Sequence, residues 1–428
     1  MHKHLHMVFA LVVAAALLLS ACGPRAGEVA ASKLQRVTEP DAAPVKLEEM
    51  VAGNTAFAFN LYQAVLATDG NLVYSPYGIS LAFAMAYGGA YGETASQMVD
   101  VLHYTLPNDR LHSAFNALDL NLARRPEQVA GVDEDDRFQL SIANALWGQN
   151  DWPFLPEYLD LLAVNYGAGM RLVDFENAAE SARRQINDWV SDQTKKCIRD
   201  ILPAGMIDPS TRLVLANAIY FKATWQTEFN ANKTYDRPFY LLDGEMISVP
   251  MMGIGHQVQL SYAAGEGWQS VVLPYKGGLT EMVIIVPDSG NFEDFESALT
   301  VEGYNEILSA LEWQPVTLSM PKFTFETQYG LKDILTGMGM QDAFDREVAD
   351  FSGMDGQHLL FIDEVLHKAF IAVDEKGTEA AAATVILMMP AAIPPKSVEL
   401  TIDRPFFYVI RDVPSGTILF MGRVVDPR

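Results

Sequence analysis

The chain has 428 residues, half of them hydrophobic and a fifth charged, which is the composition of a globular protein with ample material for a core. Its 30 Lys and Arg stand against 54 Asp and Glu, giving a formal net charge of −24. This balance disfavours nucleic acid and other polyanions as partners, because such partners are bound through cationic side chains.

The N-terminal residues have the pattern of a targeting segment. A short basic stretch precedes the apolar run VFALVVAAALLL, and small residues then lead to Cys22. The apolar run is too short for a mature transmembrane helix, so residues 1–21 are predicted to be a signal peptide. Leu-Ser-Ala-Cys resembles a bacterial lipobox, in which the cysteine is acylated, and we expect lipidation of Cys22. A plain secretory signal is the alternative.

The stretch after this segment is predicted to be a tether. Residues 22–48 comprise the lipidated cysteine and a polar, Ala- and Pro-rich run without apolar periodicity, which is typical of a flexible linker. No second linker follows, so residues 49–428 are predicted to form one domain. The chain has only one further cysteine, Cys197, which we interpret as a structural or incidental thiol.

The first third of the domain is predicted to be mostly helical. Apolar residues recur at helical spacing in AFAFNLYQAVL, GISLAFAMAYGGA, ETASQMVDVLHY and LHSAFNALDLNLARR. FQLSIANALWG alternates and predicts a strand. PEYLDLLAVNYG and AAESARRQINDWVSDQ return to helical spacing, the first with Gly167 as its C-terminal stop.

From Arg212 onward, runs typical of β-strands predominate, bounded by Pro, Gly or Asp. They are RLVLANAIYF, SVVLPY, TEMVIIVP, PVTLSMPKFTF, LLFIDEVLHKAFIAV, SVELTIDRPFFYVI and TILFMGRVV. Helical segments near 291–310 and 330–340 interrupt them. Helices followed by many strands predict an α+β fold with large antiparallel or mixed sheets.

Motifs of the common enzyme classes are missing from the sequence. It contains no H-E-x-x-H, G-x-S-x-G, Walker loop or C-x-x-C, and Val258 occupies the third position of a would-be dinucleotide fingerprint. The histidines beyond the signal peptide lack metal-ligand spacing: His103, His112, His256, His358 and His367. We therefore expect no catalytic residues, no metal site and no cofactor, and we do not expect an enzyme.

The segment EKGTEAAAATVILMMPAAIPP, residues 375–395, combines features of no ordinary element. From Ala380 to Pro395 it carries no charge. Its prolines interrupt any membrane span and end a helix early, and alanine with proline makes a poor permanent central strand. The composition instead favours an exposed loop that can later become a strand.

Strand periodicity would give this segment two faces. The face suited to burial carries Thr378, Ala380, Ala382, Thr384, Ile386 and Met388. Glu379 falls on the opposite face, where it can stay in water. Gly377 supplies a permissive backbone at the hinge, and the prolines lie beyond the portion that would pair.

Four separated motifs resemble segments of the serpin family, over about residues 49–428. They are NLVYSPYGISLAFAMAYGGAYGETASQM, RLVLANAIYFKATW, HKAFIAVDEKGTEAAAATVI, and ELTIDRPFFYVIRD followed by TILFMGRVVDP. The resemblance implies an α+β fold of about nine helices around three β-sheets, with an exposed reactive-centre loop at about residues 376–395. It also implies a suicide-substrate inhibitor: a serine protease acylates the loop, which then inserts into the large sheet.

The resemblance implies roles for the loop residues. The hinge comprises Glu375, Gly377, Thr378, Glu379, Ala380, Ala381, Ala382 and Ala383. Counting from the hinge glycine as in inhibitory members puts the reactive bond between Ala391 and Ala392. The residues flanking this bond are Met388, Met389, Pro390 and Ile393. A small residue after proline favours elastase-like or subtilisin-like targets, and cleavage after Leu387 or Met388 by a chymotrypsin-like protease is the alternative.

Other matched residues are implied to control opening of the sheet. Ser75, Pro76, Asn217 and His367 correspond to a polar network beneath the sheet centre. Gly78 stands where many relatives have a second serine, so we expect a thinner network here. Trp225, Lys322 and Glu375 correspond to the point where the loop enters the sheet, the last two as an ion pair.

The small hinge residues favour an inhibitory serpin over a non-inhibitory one that acts as a binding or chaperone module. The expected partners are serine proteases, with membrane contact only through the lipid and no nucleic acid, and we expect a monomer. The expected location is the cell surface or envelope, outside the cytoplasmic membrane, with full secretion as the alternative.

Overall fold

The computed structural model describes residues 28–129, 131–133, 136–378 and 398–428, which form ten α-helices and two β-sheets. The helices are α1 Pro44–Ala64, α2 Pro76–Tyr87, α3 Gly92–Leu102, α4 Asn108–Gln128, α5 Pro156–Tyr166, α6 Phe175–Gln193, α7 Phe292–Ala298, α8 Val301–Ala310, α9 Leu331–Met338 and α10 Ser352–Asp355. Gly167 follows α5 in the left-handed region, with φ 61°, and so ends this helix as predicted.

The strands are β1 Glu28–Ala30, β2 Leu72–Tyr74, β3 Gln139–Gln149, β4 Met170–Val173, β5 Leu213–Thr224, β6 Tyr235–Tyr240, β7 Met246–Gly253, β8 Val258–Gly265, β9 Trp268–Pro274, β10 Thr280–Pro287, β11 Glu312–Pro321, β12 Phe323–Gly330, β13 Glu364–Val373, β14 Gly377–Thr378, β15 Val398–Thr401, β16 Phe406–Asp412 and β17 Ile418–Val424.

Hydrogen bonding joins these strands into a seven-stranded and a ten-stranded sheet. The order in the first is β1-β4-β3-β5-β14-β13-β12, and in the second it is β2-β17-β16-β10-β9-β8-β11-β7-β6, with β15 also on β11. The long strand β11 pairs with β8 through its first half and with β7 and β15 through its second. Two of the three expected sheets are therefore continuous through β11, and the predicted α+β class is confirmed.

Strand β5 is buried on both faces because α6 covers one face, and α2 together with the second sheet covers the other. Leu213, Leu215 and Ile219 face the main core, whereas Val214 and Ala216 belong to a smaller core beneath α6. This explains why β5 reads as a continuous apolar run instead of an alternating one.

Residues 28–43 differ from the expected tether because they lie along the domain. Strand β1 pairs antiparallel with β4, and the Val37 amide donates to the Val164 carbonyl oxygen over 2.9 Å. The Arg36 guanidinium binds Asn116 at 2.8 Å and Asp119 at 2.6 Å. Linker-like composition does not reveal this docking, since its partners are distant in sequence. We call residues 28–43 the N-terminal arm.

The seven-stranded sheet is divided at its upper end. Direct parallel pairing of β5 with β13 runs from Val214 and Glu364 to Ile219 and Ala369. Four residues further up, β14 lies between the two strands, with Thr378 opposite Ala223 on one side. Within the described ranges, β5 residues 220–222 and β13 residues 370–372 have no strand between them.

No helix in the described part of the chain combines the length and apolar character needed to cross a bilayer.

Candidate functional site

The loop enters the sheet through a tight turn at residues 374–377. The Asp374 carboxylate accepts hydrogen bonds from the amides of Lys376, at 2.8 Å, and Gly377, at 3.2 Å. The Asp374 amide in turn donates to the Gly377 carbonyl oxygen at 2.9 Å. These bonds close the turn and aim the following residues back along the sheet.

Trp225 holds this turn against the end of β5. Its indole Nε1 donates to the Asp374 carbonyl oxygen at 3.0 Å, and its backbone amide donates to the Lys376 carbonyl oxygen at 2.7 Å. The Phe229 amide donates to the Glu375 carbonyl oxygen, also at 2.7 Å. A tryptophan that the sequence would otherwise place in the core therefore binds the backbone where the loop begins.

Glu375 is fixed from two sides. Its carboxylate forms an ion pair with Lys322 at 2.5 Å and accepts a hydrogen bond from the Thr234 hydroxyl at 2.7 Å. Burial would raise the pKa of Glu375, but the hydrogen bonds from Lys322 and Thr234 outweigh it and lower the pKa. The carboxylate is therefore charged at neutral pH, as the ion pair requires.

Gly377 is required by close approach of two backbones. A Cβ atom at this position would lie 1.9 Å from the Ala223 carbonyl oxygen, far inside van der Waals contact. The sequence suggested a permissive bend at Gly377, whereas the structure places this residue within strand β14, where no side chain fits.

Thr378 faces inward and is 2% exposed. Its hydroxyl lies 2.7 Å from the hydroxyl of Tyr275, the residue after β9. The Tyr275 ring stacks on Trp225, with ring centroids 4.4 Å apart. Tyr275 was not among the residues predicted from the sequence, although its aromatic hydroxyl directly after the strand SVVLP was an available signal.

The polar network beneath the sheet centre brings together three predicted residues. The Ser75 amide donates to His367 Nε2 at 3.0 Å, and His367 Nδ1 donates to the Asn217 side-chain oxygen. His367 is therefore neutral with its proton on Nδ1. Burial lowers the pKa of His367 to about 3. Pro76 is the first residue of α2, directly after Ser75.

Asn144 on β3 completes this network and was missed from the sequence. It accepts a hydrogen bond from the Asn217 amide group and donates to the Gly78 carbonyl oxygen at 3.3 Å. A Cβ atom at Gly78 would lie 2.9 Å from the Asn217 side-chain nitrogen. The network is thus built without a serine at position 78, and Asn144 is a further member of it.

The remaining predicted site residues lie outside the described residues, so their placement stays a prediction. They are Cys22, Glu379, Ala380, Ala381, Ala382, Ala383, Met388, Met389, Pro390, Ala391, Ala392 and Ile393. Among the described residues, no three or more His, Cys, Asp or Glu side chains come together in a group that could hold a metal ion.

The chain is similar to proteins of one family over almost all of the described domain. The family model described as "Serpin (serine protease inhibitor)" matches residues 52–427. A leukocyte elastase inhibitor of Xenopus laevis is 38% identical over 388 residues, covering 89% of this chain and all of the relative.

Solved structures give the same result. The native state of tengpin, a thermophilic serpin, is 28% identical and superposes with a TM-score of 0.80, covering 92% of this chain and 98% of tengpin. Thyroxine-binding globulin in complex with thyroxine is 29% identical with a TM-score of 0.76, covering 88% of this chain and 99% of that protein.

Proposed function

Because the chain belongs to the serpin family, we propose that it is an inhibitory serpin that traps serine proteases by inserting its reactive-centre loop between β5 and β13. The observation that carries the proposal is strand β14. Gly377 and Thr378 already occupy a strand position between β5 and β13. Insertion would then extend a strand that has begun, and it would separate the directly paired rows of β5 and β13 starting from their upper end.

The register of β14 matches the composition of the loop. Continued downward, it would pair residues 378–388 with β5 residues 223–213, so the uncharged run would span β5 to its first residue. The odd-numbered residues of β5 face the main core, as Ile219, Phe221 and Ala223 show. The small or apolar face predicted from the sequence, with Ala380, Ala382 and Ile386, would therefore enter the core.

We propose that the target is elastase-like or subtilisin-like and that the reactive bond joins Ala391 to Ala392. This bond follows the last pairing residue by only a few positions. The sequence likeness to leukocyte elastase inhibitors supports a protease with a shallow primary pocket. Acylation at Ala391 and insertion of the preceding strand would carry the protease along the sheet and distort it before deacylation.

Denaturing electrophoresis tests this proposal. The mature protein is incubated with pancreatic elastase or with subtilisin, and the same proteases with a blocked catalytic serine are the control. We expect a band of summed mass with active protease only, and a released C-terminal peptide that begins at Ala392. Complete cleavage of the loop with the protease still active would contradict inhibition and favour a non-inhibitory binding serpin.

We further propose that Cys22 carries a lipid and holds the domain at the outer surface of the membrane. The docked N-terminal arm then limits how the domain sits. Glu28, Leu172, Gly148 and Leu213 lie in one row across the sheet, at the first residue of β5. The loop entry at Ala223 is ten residues further along, about 33 Å away.

Residues 23–27 separate Cys22 from the arm, and five residues reach at most about 20 Å. We therefore propose that the β5 start faces the membrane and that the loop is presented outward. Mass spectrometry detects the acyl group, which Cys22→Ala removes. Energy transfer from a fluorescent lipid should be stronger to a label at Ser210→Cys than at Asn232→Cys. Equal transfer, or no acylation, would contradict this arrangement.

A further inference from the structure

Tyr275 is buried at the loop entry, and the sequence motifs give no role to its hydroxyl group. The phenol ring is held by stacking on Trp225 and by edge contact with Phe221, at a centroid distance of 5.3 Å. The Trp225 and Tyr275 backbones also form a β-bridge. These contacts fix the hydroxyl in space, so its hydrogen bond to Thr378 marks a defined position on the sheet.

A shift of one residue in the inserted strand would exchange its two faces. In the register of β14, Glu379 would lie opposite Lys222, which is partly exposed on the outer face of β5. If the inserted strand were shifted by one residue, Glu379 would lie opposite Phe221 and its carboxylate would point into the core. Burial of an unpaired carboxylate opposes that shift by itself.

A shift of two residues would keep the faces and is not opposed by Glu379. It would, however, misplace the polar residues of the inward face. In the register of β14, Thr384 would lie opposite Asn217 and meet the polar network of His367. A two-residue shift would place an apolar side chain there instead. The spacing of Thr378 and Thr384 equals that of Ala223 and Asn217.

We propose that Tyr275 is a positioning residue that sets the register of loop insertion by holding the hydroxyl of Thr378. The inference rests on the proposed inhibitory function and deepens it. The bond exists before insertion begins, so the strand extends from a pinned first residue. Without this bond, part of the cleaved molecules would insert slowly or out of register while deacylation releases the protease.

The test compares four variants with the wild type: Tyr275→Phe, Thr378→Val, Thr378→Ser and the double variant Tyr275→Phe/Thr378→Val. The measured quantity is the number of molecules consumed per elastase molecule trapped, together with the rate of loop cleavage. We expect Tyr275→Phe and Thr378→Val to raise the number consumed by about two- to tenfold, the range for loss of one neutral hydrogen bond. Cleavage rate should not change, and Thr378→Ser should resemble the wild type.

The double variant separates positioning from general destabilisation. If the two hydroxyls act through their mutual bond, the double variant is no worse than the worse single variant. Multiplied effects of the two single variants, or a Tyr275→Phe variant that traps protease as the wild type does, would overturn the proposal.

A second readout does not depend on trapping. After loop cleavage, the gain in thermal stability is followed over time in each variant. Should the wild type form no covalent complex and still gain stability, the inhibitory function fails, while slower gain in Tyr275→Phe supports the register role. Equal rates in wild type and Tyr275→Phe, or no gain of stability in the wild type, would overturn it.

Discussion

Substitution of Gly377 by alanine should expel strand β14 from the sheet. The added Cβ atom would lie 1.9 Å from the Ala223 carbonyl oxygen, and this contact is to backbone, which cannot rotate away. Leaving the sheet breaks the hydrogen bond between Thr378 and Tyr275 and the strand pairing of residues 377 and 378. At about 1 kcal/mol for each net hydrogen bond, these bonds favour the seated state by about 2–3 kcal/mol, and so close a backbone contact outweighs that preference.

A preference of that size corresponds to a ratio of seated to unseated molecules of about 30 to 150 in the wild type, and Gly377→Ala should lower the ratio by at least that factor. Amide hydrogen exchange in a peptide covering residues 370–378 should accelerate, and the fraction of elastase trapped should fall. Gly337→Ala in α9 is the matched control, because an added Cβ there meets nothing within 4 Å. Wild-type exchange and trapping in Gly377→Ala would refute the close approach as the reason for glycine.

Three further perturbations test other parts of the site. Thr378→Arg places a guanidinium where the side chain is 2% exposed, so cleavage without trapping is expected; full trapping would put residue 378 on the other face. The pKa of His367 is lowered by burial to about 3, so the unfolded chain binds more protons between pH 6.5 and 3. The free energy of unfolding should therefore decrease as the pH is lowered through this window, by about 1 kcal/mol per pH unit, and denaturant midpoints should show a shallower pH dependence in His367→Gln. Asn144→Ala leaves the buried Asn217 amide without this acceptor and should cost about 1–3 kcal/mol, measured as a lower unfolding midpoint; an unchanged midpoint would contradict a structural role for Asn144.

The sequence predicted those elements whose signal is local. Apolar periodicity located the helices of the first third, and the runs after Arg212 located most of the long strands, because burial of one or both faces leaves a repeating pattern. Strands β6, β7 and β8, of six to eight residues, were not predicted. The short strands β1, β2, β4 and β14 were missed as well. Two to four residues carry no period, and their strand conformation depends on partners far away in the chain.

The site followed the same division. Trp225 and His367 were found because they lie within family motifs, and Lys322 because it corresponds to a family residue at the loop entry. Tyr275, directly after β9, and Asn144, on β3, lie outside these motifs. Their hydroxyl and amide groups acquire a role only when β9 and β3 meet the loop entry and the sheet centre. The docked N-terminal arm was missed for a related reason: the glycine that accommodates it, Gly169, is about 140 residues away, and a Cβ atom there would lie 2.6 Å from the Ala30 carbonyl oxygen.

Amide hydrogen exchange before and after loop cleavage tests most directly whether the loop becomes a strand between β5 and β13. The residues to follow are 220–222 of β5 and 370–372 of β13, which lie between the last directly paired row and β14. Insertion predicts strong new protection in both segments, with unchanged protection in β10 and β16 of the other sheet. Unchanged exchange in residues 220–222 and 370–372 after complete cleavage would contradict insertion and the inhibitory mechanism built on it.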